Sequence, residues 1–188
     1  YAPETLYVNT CDLLSPRVIP EVRHQVLGFY CHLIQGQYDR LDVSRAHFFD
    51  LILGLQNPED LQKRLDLFKA LTDNGKNVSN FEVEAPLFLL GWMPDVLNAG
   101  KASDFFSLLV NVIKFNSAFL DKDVVTGIVH YTCILCCRTN SENNVKLGLD
   151  VLDSIVGYSI ISSDILPHLV PTVCRTVVVA NLSEPSWR

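Results

Sequence analysis

The sequence predicts an all-α fold, an α-solenoid of HEAT-like antiparallel helix pairs with about ten helices. Three observations carry that expectation. Apolar residues recur at i, i+4, i+7 in segment after segment, the period of a helix with one buried face. Segments that alternate apolar and polar residues in steps of two, as strands do, are missing. The segment starts fall about twenty residues apart, so pairs recur about every forty, the period of HEAT and armadillo repeats. A lone helical hairpin cannot bury its apolar stripe, and stacking on neighbours supplies a continuous core. A closed helical bundle is the competing arrangement, and the even spacing favours the solenoid.

Taken in order, the expected helices span 3–14, 20–35, 43–55, 59–73, 84–98, 103–118, 121–138, 142–157 and 162–178, with a truncated one from 183. In the second, the stripe is Val22, Val26, Phe29 and Leu33. Leu61, Leu65, Phe68 and Leu71 mark another face, and Leu108, Val112, Phe115 and Phe119 a third. Val124, Ile128, Tyr131 and Leu135 follow, then Val145, Leu149, Leu152 and Val156. Asn57 before Pro58-Glu59-Asp60 has the form of an N-cap with proline in the first turn. Ser103-Asp104, Ser141-Glu142 and Ser163-Asp164 read as capped starts in the same way. Gly36, Gly75, Gly100 and Gly157 follow apolar runs, as helix-terminating glycines do. The segment 84–98 differs: Leu87, Phe88, Leu89, Leu90, Trp92, Met93, Val96 and Leu97 cover nearly its whole circumference, which predicts burial on several sides. The longest non-helical stretch is the polar one from Asn74 to Val83.

Residues 1–188 are expected to form one helical-repeat segment, a fragment of a longer solenoid truncated at its C-terminal end. Ser183-Glu-Pro-Ser-Trp-Arg188 reads as a helix start severed after one turn, which predicts exposed apolar surface there.

Composition narrows the function. Of 188 residues 48% are hydrophobic and 19% charged, which excludes intrinsic disorder. A net charge of −6 argues against a nucleic-acid binder, because phosphates demand clustered Lys and Arg. No uncharged apolar run reaches the roughly 18 residues that span a bilayer, and no signal peptide is recognised at the N-terminus. The six cysteines, at 11, 31, 133, 136, 137 and 174, sit in apolar stretches and read as small core residues in a reducing compartment.

Catalytic chemistry finds no foothold. Cys133-Ile-Leu-Cys136-Cys137 contains a C-x-x-C late in an apolar helix, with only His130 close by. A tetrahedral zinc site needs four converging ligands. Thr72-Asp73-Asn74-Gly75 resembles a calcium-loop start but lacks the alternating oxygen ligands, and helix C-capping accounts for it. No G-x-S-x-G elbow or phosphate-binding glycine loop is present. The expectation is no catalytic residue, no metal and no cofactor. The alternative from another class is a thiol-dependent enzyme using Cys136 or Cys137.

A partner-binding face has a more specific pattern. Opposite the apolar stripes stand Gln62, Asp66, Lys69 and Asp73, then Ser107, Asn111 and Lys114, then Lys146, Asp150 and Asp153. In a HEAT-type stack the second helices lie side by side, so these rows would share one surface. Leu27 and Cys31 interrupt the corresponding row in 20–35. Lys69, Lys114, Lys146, Asp66, Asn111 and Asp150 are the candidate partner-binding residues, matched to the charged e and g positions of a coiled coil. A merely solvated helix face is the simpler account.

Arg45-Ala-His-Phe-Phe49, Phe68-Lys-Ala-Leu-Thr-Asp-Asn-Gly75, Leu109-Val-Asn-Val-Ile-Lys-Phe-Asn-Ser117, Val151-Leu-Asp153 and Cys174-Arg-Thr176 occur in an order that resembles the N-terminal region of the tuberin family. The resemblance runs from about Gln35 to the end, and Asn74–Val83 departs from it. It implies an α-solenoid that associates with hamartin, a partner with a long coiled coil, in the tuberous sclerosis complex. In that complex the large subunit activates GTP hydrolysis on Rheb and restrains growth signalling. The family's GTPase-activating domain lies at the far C-terminus and corresponds to nothing here, so no catalytic residue carries over. Rheb would be reached only through the full-length protein. The implied location is the cytoplasm, with recruitment to the lysosomal surface as part of the complex.

Overall fold

Helical periodicity without strand alternation is realised as eight α-helices and no strand among the described residues, which in this computed structural model are 10–36, 42–100, 102–158 and 163–183. They are α1 (Pro20–Gly36), α2 (Asp42–Gly54), α3 (Leu61–Leu71), α4 (Glu84–Ala99), α5 (Ala102–Asn116), α6 (Lys122–Arg138), α7 (Glu142–Tyr158) and α8 (Leu166–Ser183). The expected first helix is represented only by a 3-10 turn at Cys11–Leu14, its earlier residues lying outside the described ones. The expected start at 183 also falls outside them, apart from Ser183, which ends α8.

The starts and stops have local causes. The Asp121 carboxylate accepts the N–H groups of Asp123 (2.6 Å) and Val124 (3.2 Å) and caps α6. Ser141 Oγ accepts Asn144 N–H at 3.4 Å before α7. Ser103, read as a cap, lies inside α5, which begins one residue earlier. Pro58 opens a 3-10 turn that leads into α3. Gly100 closes α4 in the left-handed conformation at φ 67, and Gly75 adopts φ 85 in the turn after α3. Gly157 does not stop α7, which continues to Tyr158.

Two compact units divide the chain, Tyr1–Asn77 and Val78–Arg188. In the first, α1 and α2 both pack on α3. Tyr30 meets Phe48 edge-on at 5.5 Å, and Phe49 meets Phe68 at 5.8 Å. Leu61, Leu65, Phe68 and Leu71 are buried as their spacing predicts. On α1 the buried face is rotated by one residue from the expected one. Arg23, Leu27, Tyr30 and Ile34 go inside, while Phe29 of the expected stripe is exposed. Arg23 is 2% exposed and donates to the carboxylate of Asp60, itself 1% exposed, from Nε (3.1 Å) and Nη2 (3.3 Å). Its Nη1 donates to the Val18 carbonyl, and His24 Nε2 donates to Asp60 at 2.8 Å. A buried charge survives only when paired and hydrogen-bonded, and this pairing lets Arg23 share the inward face with the apolar stripe of Leu27, Tyr30, Cys31 and Ile34. Leu27 and Cys31, which interrupt the polar row, are core residues of that stripe.

The second unit shows the packing of a repeat. α4 packs on α5 and α6, α5 on α7, α6 on α7 and α8, and α7 on α8, so each helix meets mainly the next and the next but one. Two glycines permit close approach. A Cβ at Gly148 would overlap Cys136 Sγ across the α6–α7 seam, and one at Gly127 would come within 2.9 Å of Leu90. α4 is not apolar-covered all round as its composition suggests: Leu87 and Gly91 are exposed, while Leu89, Trp92, Met93 and Val96 are buried. Phe115, Phe119 and Val156 also depart from expectation, for their stripes run out of the core at the helix ends.

Candidate protein-interaction site

The polar rows fall into two settings. In the first unit Asp66 and Lys69 are half-buried on α3, beside α1. Gln62 Nε2 donates to Asp66 at 3.0 Å, and Lys69 lines a recess of about 410 Å³ with Gln35, Ala70, Asp73 and Asn74. The recess borders the C-terminal end of α3. Thr72 Oγ1 donates to the Phe68 carbonyl (2.6 Å) and accepts the Gly75 N–H (2.9 Å), while Asp73 and Asn74 adopt φ 47 and 55. Arg45 reaches from α2 and donates to the carbonyls of Leu71 and Asn77, each at 2.9 Å. A cation on the terminal carbonyls of a helix also opposes its dipole.

In the second unit Lys114, Lys146 and Asp150 are exposed and Asn111 is half-buried. They stand on α5 and α7, which pack against each other, so four of the six candidate residues share one helical layer. Asp66 and Lys69 belong to the other unit.

The cysteine cluster splits instead of converging. Cys133 and Cys136 are buried, whereas Cys137 and Cys174 are exposed and Cys11 is half-buried, so the core reading fails for these last three. On a helix, adjacent positions diverge by about 100°. Cys136 therefore points into the α6–α7 seam at Gly148, and Cys137 into a groove of about 220 Å³ shared with His130, Cys133, His168 and Thr172. Burial raises the Cys136 thiol from 9.0 to about 11, with the thiols of Cys133 and Cys137 adding to the effect. Cys31 also rises to about 11, through burial and then the charge of Asp66, and burial raises Cys133. Such thiols stay protonated near neutral pH and are poor nucleophiles. Cys137 Sγ lies 3.9 Å from the Thr172 hydroxyl. His130 and His168 face each other edge-on at 5.0 Å, a proximity that 38 residues of separation conceal in the sequence. Among the described residues no group of three or more His, Cys, Asp or Glu is placed to hold a metal ion. No helix among them is long and apolar enough to cross a membrane.

Over residues 4–188 the sequence matches the family described as "Domain of unknown function (DUF3384)". The chain belongs to that family. It is similar to the tuberous sclerosis 2 protein homolog of Schizosaccharomyces pombe, 24% identical over 83% of this chain and 13% of the relative. An uncharacterised protein of the same yeast is 20% identical over 92% of this chain and 15% of its own length. The chain thus spans about a seventh of the curated relatives it matches. A solved structure of the TSC2 N-terminus superposes with a TM-score of 0.79 at 20% identity, covering 94% of this chain and 50% of that one. The fold is the all-α solenoid of that tuberin N-terminal region, and the DUF3384 chain is tuberin-like along the stretch where its sequence strings resemble that family.

Proposed function

We propose that this DUF3384 chain is a non-catalytic scaffold, a single helical-repeat segment of a longer tuberin-like solenoid that binds hamartin. In this reading it works in the cytoplasm, and on the lysosomal surface, within the complex that restrains Rheb and growth signalling. The observation that supports the reading is the packing of α5 on α7, the helices that carry Asn111 and Lys114, and Lys146 and Asp150. Parallel rows of mixed charge match the e and g positions of a coiled coil in spacing and chemistry. The likeness to the tuberin N-terminal region supports the assignment of the partner.

The test is capture of purified hamartin coiled-coil segments by the immobilised chain, alongside a GTP-hydrolysis assay with Rheb. Saturable capture without acceleration of hydrolysis is the expected result. Absence of capture, or hydrolysis that rises saturably with pure chain, would overturn the proposal.

A further inference from the structure

Three residues whose spacing assigns them to the core, Phe115, Phe119 and Val156, emerge at the surface together with Tyr158 and Leu166, each 52–60% exposed. They lie at helix ends that the packing brings near one another. Phe115 lies in the last turn of α5 and Phe119 in the turn after it; Val156 and Tyr158 end α7, and Leu166 opens α8. α5 packs along α7 and α6 along α8. Lys122 at the start of α6 pairs at 3.2 Å with Asp164, just before α8. The starts of α6 and α8 are therefore neighbours, and so are the ends of α5 and α7 that feed them. Scattered exposed apolar residues need no explanation, but several large ones on neighbouring helix ends point to an interaction surface.

The surrounding charge narrows what covers it. Among the described residues of this rim of helix ends the exposed charges are Asp121, Asp123, Asp153 and Asp164 against Lys114 and Lys122; Asp121 caps α6 and Lys122 pairs with Asp164, which leaves Asp123 and Asp153 against Lys114. Excess carboxylate repels an anionic bilayer and attracts a basic flank. Among the described residues there is no strand edge to receive an extended segment, whereas helix ends packed side by side can receive a helix in the groove between them. We infer that this rim is the docking site for an amphipathic partner helix whose apolar stripe is flanked by Lys and Arg. The inference rests on the reading of the chain as an interaction segment and gives the chemistry of the partner.

The probe is a designed three-heptad peptide with Leu at a and d and Lys or Arg at e and g, beside a twin carrying Glu at e and g. Binding to the full chain is read by fluorescence anisotropy. The basic peptide is expected to bind at least about tenfold tighter than its twin at low salt, with the preference shrinking as salt rises. The double variant F115S/V156S is expected to weaken it by about tenfold or more, the loss typical of apolar anchors, while the circular dichroism melt stays in place because both side chains are exposed. D123K/D153K is expected to reverse the preference between the peptides. Equal binding of both peptides, or of neither, overturns the inference. So does binding to phosphatidylcholine–phosphatidylserine vesicles that F115S/V156S abolishes, which would assign the rim to a membrane. A concentration-dependent dimer abolished by the same variant would assign it to a second copy and overturn the inference as well. Hamartin capture is scored separately: its absence removes the proposed function, whereas failed peptide discrimination removes the rim alone.

Discussion

Up to Asn77 helices are held in register by polar atoms, and from Val78 onward by atoms that are missing. In the first unit Arg23 and His24 converge on the buried Asp60, and Arg45 ties the last carbonyl of α3, at Leu71, to that of Asn77 beyond it. In the second, seams close over Gly127 and Gly148, where a side chain would strike Leu90 or Cys136. The difference teaches that one repeat-like architecture can be fixed in two ways. An ionic anchor sits on the same inward helix face as an apolar stripe and ties that face to a neighbouring element. A glycine seam leaves rotation to periodicity and fixes only how closely two helices approach.

The largest effect separating the two means is expected at Asp60. D60A leaves the buried Arg23 guanidinium with only the exposed Glu59 carboxylate, 3.5 Å from Nη2, and loss of the buried partner of such a pair costs about 3–5 kcal/mol. Denaturant titration should show that loss at low and high salt alike, since a buried pair is poorly screened. Amide exchange should place the lost protection in α1–α3. Loss of protection concentrated beyond Val78 would break the comparison.

At the seam, G148A forces Cys136 or the α7 backbone to move, an overpacking penalty of about 1–3 kcal/mol. Truncating the obstacle should relieve it, so G148A/C136A is expected to be more stable than the sum of the single changes implies. Strict additivity in that double-mutant cycle would show that the seam is not limited by this contact.

Alkaline pH adds a gentler test. The thiols of Cys31 and Cys136 are raised from 9.0 to about 11 by burial. The unfolded chain therefore releases these protons first, and stability should fall as pH climbs from about 9 to about 11. At pH 8 a thiol reagent should modify Cys137 and Cys174 in the native protein, but Cys31, Cys133 and Cys136 only on unfolding. Rapid native labelling of Cys136 would contradict its place in the seam. The smallest effect is expected at Gly91, which is exposed in mid-helix with nothing within 4 Å of its would-be Cβ. G91A should gain about 0.5–1 kcal/mol from helix propensity alone, the opposite sign to G148A.

These positions also mark what the sequence could disclose. Helix content, the α3 stripe and the cap at Thr72–Gly75 are local properties, encoded by spacing and turn chemistry within a few residues, and they were legible. The rotation of α1 was not, because Arg23 looks like a surface residue until Asp60, 37 residues away, is brought against it. Phe115, Phe119 and Val156 fit the helical period as well as their buried neighbours do. Only the ends of the packed layer show that the core has run out beneath them. Of the candidate binding residues, the helix assignment was readable for all six. Their division into four on one layer and two in the other unit depends on where the chain divides, which no local pattern records.

The most direct measurement of the scaffold account is calorimetric titration of hamartin's coiled-coil segments into the chain and into K69E/K114E/K146E at low salt, where surface charge acts most strongly. The account predicts saturable binding by the unchanged chain and clearly weaker binding by the triple variant, with helicity and Tm near those of the parent. Unchanged affinity in the triple variant, or no heat of binding with either protein, would contradict it.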